Sequence, residues 1–158
     1  MIKSIKMKRV ANSKYATQIA KYKRILDCHA VIGWNDSFSA SKAFTNEKGY
    51  IEDDHEIPPR PFIYPAIVEK SKQGVTNDFI SSVRLGRIKK AFQKEGDTVR
   101  DLIVDKINKL QRPTLARRTI RERKKAGPSF YVAGLKKPLI STGDMRDSVE
   151  VTVIGGES

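Results

Sequence analysis

The residues of this chain that could do chemistry form three short groups, each suited to a different task. Asp53-Asp54-His55-Glu56 puts three carboxylates and an imidazole in four positions, a donor set that suits a divalent cation. Holding one, Asp53, Asp54 and Glu56 would make a small metal-dependent nuclease. Consecutive side chains cannot all face one ion without a tight loop, and no second ligand group stands at a recognisable spacing. The plain reading is a solvated acidic loop tip. Cys28 and His29 adjoin, but neighbours along a chain point apart and catalytic dyads are assembled from distant residues. The third group is the basic run Arg117, Arg118, Arg121, Arg123, Lys124 and Lys125, interrupted by one acid, Glu122. Such a run gains affinity for phosphates by releasing counterions and needs no base readout. It has neither interleaved aromatics for single strands nor a major-groove motif. Non-specific contact with DNA, or with an acidic protein, is what it supports.

Nothing else points to catalysis. The chain has two histidines, so general acid–base work would fall on carboxylates, and no pair of them stands out. Gly155-Gly156 lies in the tail. Ser141-Thr142-Gly143 lacks the strand, loop and lysine-bearing helix of a phosphate cradle. The expectation is therefore a protein that is not an enzyme, with no cofactor, metal or small-molecule substrate.

Length and charge narrow the class. The 158 residues are enough for one domain with a real core, expected over 1–154 with 155–158 as a flexible tail. No run approaches the roughly 18 apolar residues of a membrane span, and the interleaved start, Ile2, Ile5 and Met7 among Lys3, Lys6, Lys8 and Arg9, lacks the apolar run of an export signal. A single cysteine excludes an internal disulfide and fits folding in a reducing cytoplasm. The net charge of +13 is unevenly distributed. Residues 1–26 carry eight basic side chains and no acid, residues 27–56 seven acids and two bases, and residues 57–138 are strongly basic again. Segregation of this kind suits a polyanion or an oppositely charged protein surface.

The elements that must position these groups follow from periodicity and punctuation. Ile2, Ile5 and Met7 permit a short strand. Ser13 opens a helix to about Cys28 with Tyr15, Ile19, Tyr22 and Leu26 as its stripe. His29–Asn35 alternates Ala30, Ile32 and Trp34 as a half-buried strand, with a bulge or close approach at Gly33. Residues 36–61 read as a long excursion loop, closed by three prolines in Ile57-Pro58-Pro59-Arg60-Pro61-Phe62. A short helix then runs to Gln73-Gly74. Further helices are expected from Asn77 to a break at Glu95-Gly96, and from a Thr98–Asp101 capping box to Pro113. Ser148–Ile154 alternates Val149, Val151 and Val153, the cleanest strand signal. Strands near both ends with helices between them imply an α+β domain. Its sheet should be small, antiparallel or mixed, of three or four strands, with helices on one face.

Two segments together resemble a known family. Ile57-Pro58-Pro59-Arg60-Pro61-Phe62 with Tyr64-Pro65-Ala66 resembles one block, and Lys137-Pro138-Leu139-Ile140-Ser141-Thr142-Gly143-Asp144-Met145-Arg146-Asp147-Ser148-Val149 resembles another. Both belong to the small neck and tail-completion proteins of tailed bacteriophages, also described as head–tail joining or virion morphogenesis proteins. Pro113-Thr114 with Thr119-Ile120-Arg121 and Lys124, and Val31-Ile32-Gly33 followed by Ala43–Gly49, are similar to intervening stretches, in the same order across about residues 29–154. Ser141 stands where the family usually has an acid, and Met145 where it has leucine.

The resemblance implies an α+β virion component, assembled in the host cytoplasm, that forms a ring, sixfold or else twelvefold. That ring would sit between the portal or connector and the tail terminator or tube, with packaged DNA in its lumen. Arg60, Pro61, Phe62, Asp53, Asp54, Glu56, Arg146 and Asp147 are the expected subunit or partner contacts, the acidic 27–56 region docking on a basic neighbour. Pro138, Thr142, Gly143 and Met145 form a structural corner, with Thr142 as the N-cap of one helical turn. The competing reading is a basic, non-specific nucleic-acid-binding protein.

Overall fold

The computed structural model describes residues 13–52, 55–127, 135–140 and 143–156. Among them are seven helices and two small antiparallel sheets of two strands each: a mostly helical α+β fold. In chain order these are α1 (Ser13–Leu26), β1 (His29–Gly33), α2 (Ser37–Lys48), β2 (Tyr50–Glu52), β3 (His55–Ile57), α3 (Ile63–Gln73), α4 (Asn77–Arg84), α5 (Ile88–Lys109), α6 (Arg117–Ala126), α7 (Asp144–Asp147) and β4 (Glu150–Ile154). The expected first strand, Ile2–Met7, lies outside the described residues.

The terminal strand pairs with the early one, as its alternation predicts. β4 runs antiparallel to β1, with His29 opposite Ile154 and Gly33 opposite Glu150. Ala30, Ile32, Val151 and Val153 share one face of this ribbon, and α5 covers it. The ribbon has two strands rather than three or four because the only other sheet among the described residues, β2–β3, pairs with itself.

α5 corrects the expected helix break at Glu95-Gly96. The helix runs unbroken for 22 residues, and Thr98 sits inside it with its hydroxyl donating to Lys94 O. Gly96 is there for closeness rather than for a turn. A Cβ at this position would fall well inside contact distance of Val151 Cγ1 and 3.4 Å from the Ala30 Cβ. The missing side chain lets the helix lie directly on the ribbon, which offsets the helix-propensity cost of glycine, about 1 kcal/mol. The expected bulge or close approach at Gly33 has no counterpart: β1 and β4 keep a continuous register up to Gly33 opposite Glu150, and nothing lies within 4 Å of the place its Cβ would take.

Residues 36–61 are not a long loop. Asp36 caps α2 by accepting from Ser39 N at 2.6 Å, and Gly49, at φ 76°, ends it and leads into the β2–β3 hairpin. The polar sequence of α2 hides this helix, since only Ser39 and Ala43 of it are buried. A break does separate the helices before α5, but it falls at Leu85–Arg87, and the cap of α4 is Thr76 rather than Asn77 or Asp78.

The core gathers Ala43 of α2, Phe62 and Ala66 at the start of α3, Ile103 and Ile107 of α5, and Leu139, Ile140, Met145 and Val149 from the C-terminal corner. Trp34 closes its edge: the indole meets the Phe62 ring edge-on at 6.2 Å and donates Nε1–H to Met145 O at 2.6 Å. Burying such aromatics while satisfying the indole nitrogen is a large share of what small domains use for stability.

Candidate functional site

The proline block and the C-terminal corner meet in space. Pro58 and Pro61 hold the chain extended up to Phe62, whose side chain is fully buried. α3 then begins without a cap from its own residue 62. Instead, the Glu47 carboxylate of α2 accepts from Phe62 N, Ile63 N and Tyr64 N at 2.7, 2.9 and 3.0 Å. A carboxylate at a helix N-terminus satisfies otherwise unpaired donors and complements the helix dipole. Opposite, Pro138, Leu139 and Ile140 are buried, and the chain turns through Gly143 at φ 101° into α7. Arg146 N and Asp147 N both donate to Gly143 O at 2.9 Å. Met145 is buried in the core, while Thr142, expected as the cap, lies outside the described residues.

Two arginines expected at the surface are turned inward. Arg60 is 6% exposed and donates Nε–H to Pro113 O at 3.3 Å. Arg123 donates to Lys137 O and Ile140 O at 2.9 Å, pinning α6 to the corner. Burial pulls both guanidinium pKa values below their ordinary value, and Arg60 lowers that of Arg123 further. Both stay charged, because an arginine pKa lies so far above neutrality. Their donors suit carbonyl oxygens, so Arg60 and Arg123, like the buried Phe62, help to hold the framework together. Both arginines line a cleft of about 550 Å³ with Lys42, Glu56, Thr119 and Met145.

The remaining expected residues divide plainly. Pro61 and Glu56 are exposed. Asp53 and Asp54 lie outside the described residues. Arg146 and Asp147 pair with each other at 2.6 and 2.9 Å, and the hydrogen bond from Arg146 is the main cause that holds the Asp147 carboxyl below its usual range. On α6, Arg117, Arg118, Arg121, Lys124 and Lys125 are exposed, and Arg118 pairs with Glu122 at 2.9 Å. Spacings of four and three place Arg117, Arg121 and Lys124 on one helical face.

Thiol chemistry finds no support at Cys28. Its side chain is buried, and burial pushes its pKa up against a smaller opposing effect of Lys89. A raised pKa disfavours the reactive thiolate at neutral pH. Among the described residues no three His, Cys, Asp or Glu side chains gather as a metal site. None of the described helices is long and apolar enough to cross a membrane.

Several large apolar side chains are also left open to solvent. The α1 stripe, predicted to pack inward, stays exposed: Tyr15 at 64%, Ile19 at 57%, Tyr22 at 65% and Leu26 at 82%. Phe38, Phe44, Tyr64 and Ile67 are exposed on α2 and α3, and Phe44, Tyr64 and Ile67 border a shallow groove between these helices. Residue-level reading missed this second patch because α2 was not recognised as a helix; Asp36 followed by Ser39 was the available signal. Isolated exposed apolar residues are ordinary, whereas contiguous ones mark interaction surfaces. No protein-family model, curated protein or solved structure matches the chain.

Proposed function

We propose that this chain is a structural subunit of a tailed-bacteriophage virion. It would act at the head–tail neck as a ring-forming tail-completion or collar component between connector and tail. The observation that carries the reading is the unpartnered apolar surface of α1, α2 and α3 on a chain whose best-formed sequence blocks resemble that family. The two blocks meet in one core and hold the fold, which leaves the outer helices free for partners. Assembly proteins need this division, because a subunit that will be buried on several sides carries its apolar surface outward until neighbours cover it. Basic segments facing the lumen of such a ring would meet DNA phosphates. Virions from a strain lacking the chain test the reading: full heads beside separate, unjoined tails are expected, and normal virions would overturn it.

One observation favours the second reading, a non-specific nucleic-acid-binding protein. The exposed cations of α6 form a continuous face, with a single acid in the helix. That reading expects the isolated protein to bind duplex DNA with an affinity that falls steeply with salt, and to have no virion phenotype.

A further inference from the structure

We infer that the cleft lined by Arg60 and Arg123 binds a small phosphate monoester, its phosphate on the basic groups and its organic part against the apolar wall. The inference goes beyond the structural role proposed above and does not depend on it. Two guanidinium groups are buried in this wall, Arg60 at 6% exposure and Arg123 at 9%. They lie close enough for the charge of Arg60 to act on Arg123. Among the described residues neither pairs with a carboxylate: Arg60 donates to Pro113 O, and Arg123 to Lys137 O, Pro138 O and Ile140 O. Carbonyl oxygens satisfy donors and leave the net charge in place. Two like charges held out of water without a counter-ion are costly, and an anion in the cleft offsets that cost.

The two arginines differ in what they have left to give. Arg123 is engaged with the C-terminal corner through three carbonyls. Arg60 commits only its Nε–H, and no described residue accepts from its Nη1 or Nη2. No fully enclosed side-chain nitrogen or oxygen among the described residues lacks a partner. The two terminal nitrogens of Arg60 are therefore open to the space that this side chain lines.

A further set of donors borders the same space. α6 begins after Ala116 with no side chain capping its first amides. Ala116 and Thr119, on either side of that start, stand in the cleft wall. The uncapped N-terminus of a ten-residue helix offers unpaired N–H groups and the positive end of its dipole to an anion.

These features together select the ligand. A dianion balances two guanidinium groups where a monoanion balances one. A tetrahedral phosphate carries oxygens on several sides and can meet the Arg60 fork and the α6 amides at once, whereas a planar carboxylate matches a single fork. Leu115, Leu139 and Met145 supply an apolar wall, and the volume of about 550 Å³ lies within the roughly 300–1,000 Å³ of pockets that hold small organic ligands. Glu56, the acid among the described lining residues, is exposed and shifts the pKa of neither arginine.

Calorimetric titration of the full-length chain with phenyl phosphate, inorganic phosphate and benzoate, at fixed ionic strength, tests the site. Phenyl phosphate is expected to bind about tenfold or more tightly than benzoate, and more tightly than inorganic phosphate. Arg60→Lys keeps the charge and loses the fork, and should weaken phenyl phosphate by about tenfold or more. Thr119→Glu places a carboxylate in the cleft wall, in the first turn of α6 where an acid favours the helix. It should abolish binding without lowering the melting temperature, and it decides the matter even where Arg60→Lys fails to fold. Arg121→Gln with Lys124→Gln, on the exposed face of α6, should leave binding unchanged. Absence of phenyl phosphate binding to the wild type overturns the site, as does binding that survives Thr119→Glu. Binding lost in the Arg121 and Lys124 variant overturns it in favour of the exposed cations. Benzoate that binds as tightly as phenyl phosphate overturns the phosphate assignment in favour of a carboxylate, such as an acidic side chain of a partner protein.

Discussion

The C-terminal corner and α1 have equally legible sequences and opposite fates. Lys137–Val149 is marked by its proline, glycine and apolar residues and α1 by its regular stripe, yet Leu139, Ile140, Met145 and Val149 are buried while Tyr15, Ile19, Tyr22 and Leu26 face solvent. The corner is enclosed because Arg123, Trp34 and Phe62, all distant in sequence, close on it. α1 is tied to the body near its end by Lys21 and by the turn into β1. An amphipathic stripe thus states that a face needs covering, and says nothing about whether the cover belongs to the same chain.

That contrast predicts unequal responses to similar substitutions. Phe62→Ala should cost about 3–5 kcal/mol of monomer stability, because it empties a fully enclosed site. Tyr22→Ser on α1 should change it by no more than about 0.5 kcal/mol. Denaturant unfolding under monomeric conditions checks both, and a large loss for Tyr22→Ser would mean that α1 is covered within one copy.

Gly96→Ala should come next, at about 1–3 kcal/mol, since the new methyl group collides with Val151. Val151→Ala in the same chain should recover part of that loss, and a double-mutant cycle measures the coupling. Gly33→Ala meets open space and serves as the control. Glu47→Gln removes the charge shared by three backbone donors of α3 and should cost about 1 kcal/mol, read as a lowered midpoint.

The smallest effect is pH-dependent and lies at the partly buried Lys70–Glu95 pair. At Glu95, burial raises the carboxyl pKa, but hydrogen bonds from Lys70 and Thr76 outweigh it and leave the value below its ordinary 4.5. A depressed pKa in the folded state means that the stabilisation is complete above 4.5 and fades as pH falls through the folded value. Glu95→Gln should therefore flatten the acid limb of the stability–pH curve and leave its slope near neutrality unchanged.

Particular residues show where the sequence was sufficient. Pro58, Pro59 and Pro61 forbid a helix before residue 62, and α3 begins at Ile63. Gly74 and Gly127 end α3 and α6 at positive φ, and the valine alternation after Ser148 becomes β4. Other residues show where it was not. Asp36 capped a helix whose polar composition reads as loop, Gly96 reads as a stop, and Arg60 and Arg123 read as surface charges. For Gly96, Arg60 and Arg123 the deciding partner, Val151, Pro113 O or Ile140 O respectively, lies outside the local stretch of chain.

By itself, then, the sequence determined the local rules: where backbone dihedrals forbid or permit a helix, which spacing makes a stripe, and how charge divides along the chain. These follow from sterics and periodicity within a few residues. Only the tertiary structure decided which stripes are enclosed, which arginines face carbonyls, and why a glycine sits in the middle of the longest helix. Those outcomes depend on close approach between residues well separated along the chain, by 14 positions for Arg123 and Lys137 and by 53 for Arg60 and Pro113, and local pattern carries no record of that approach.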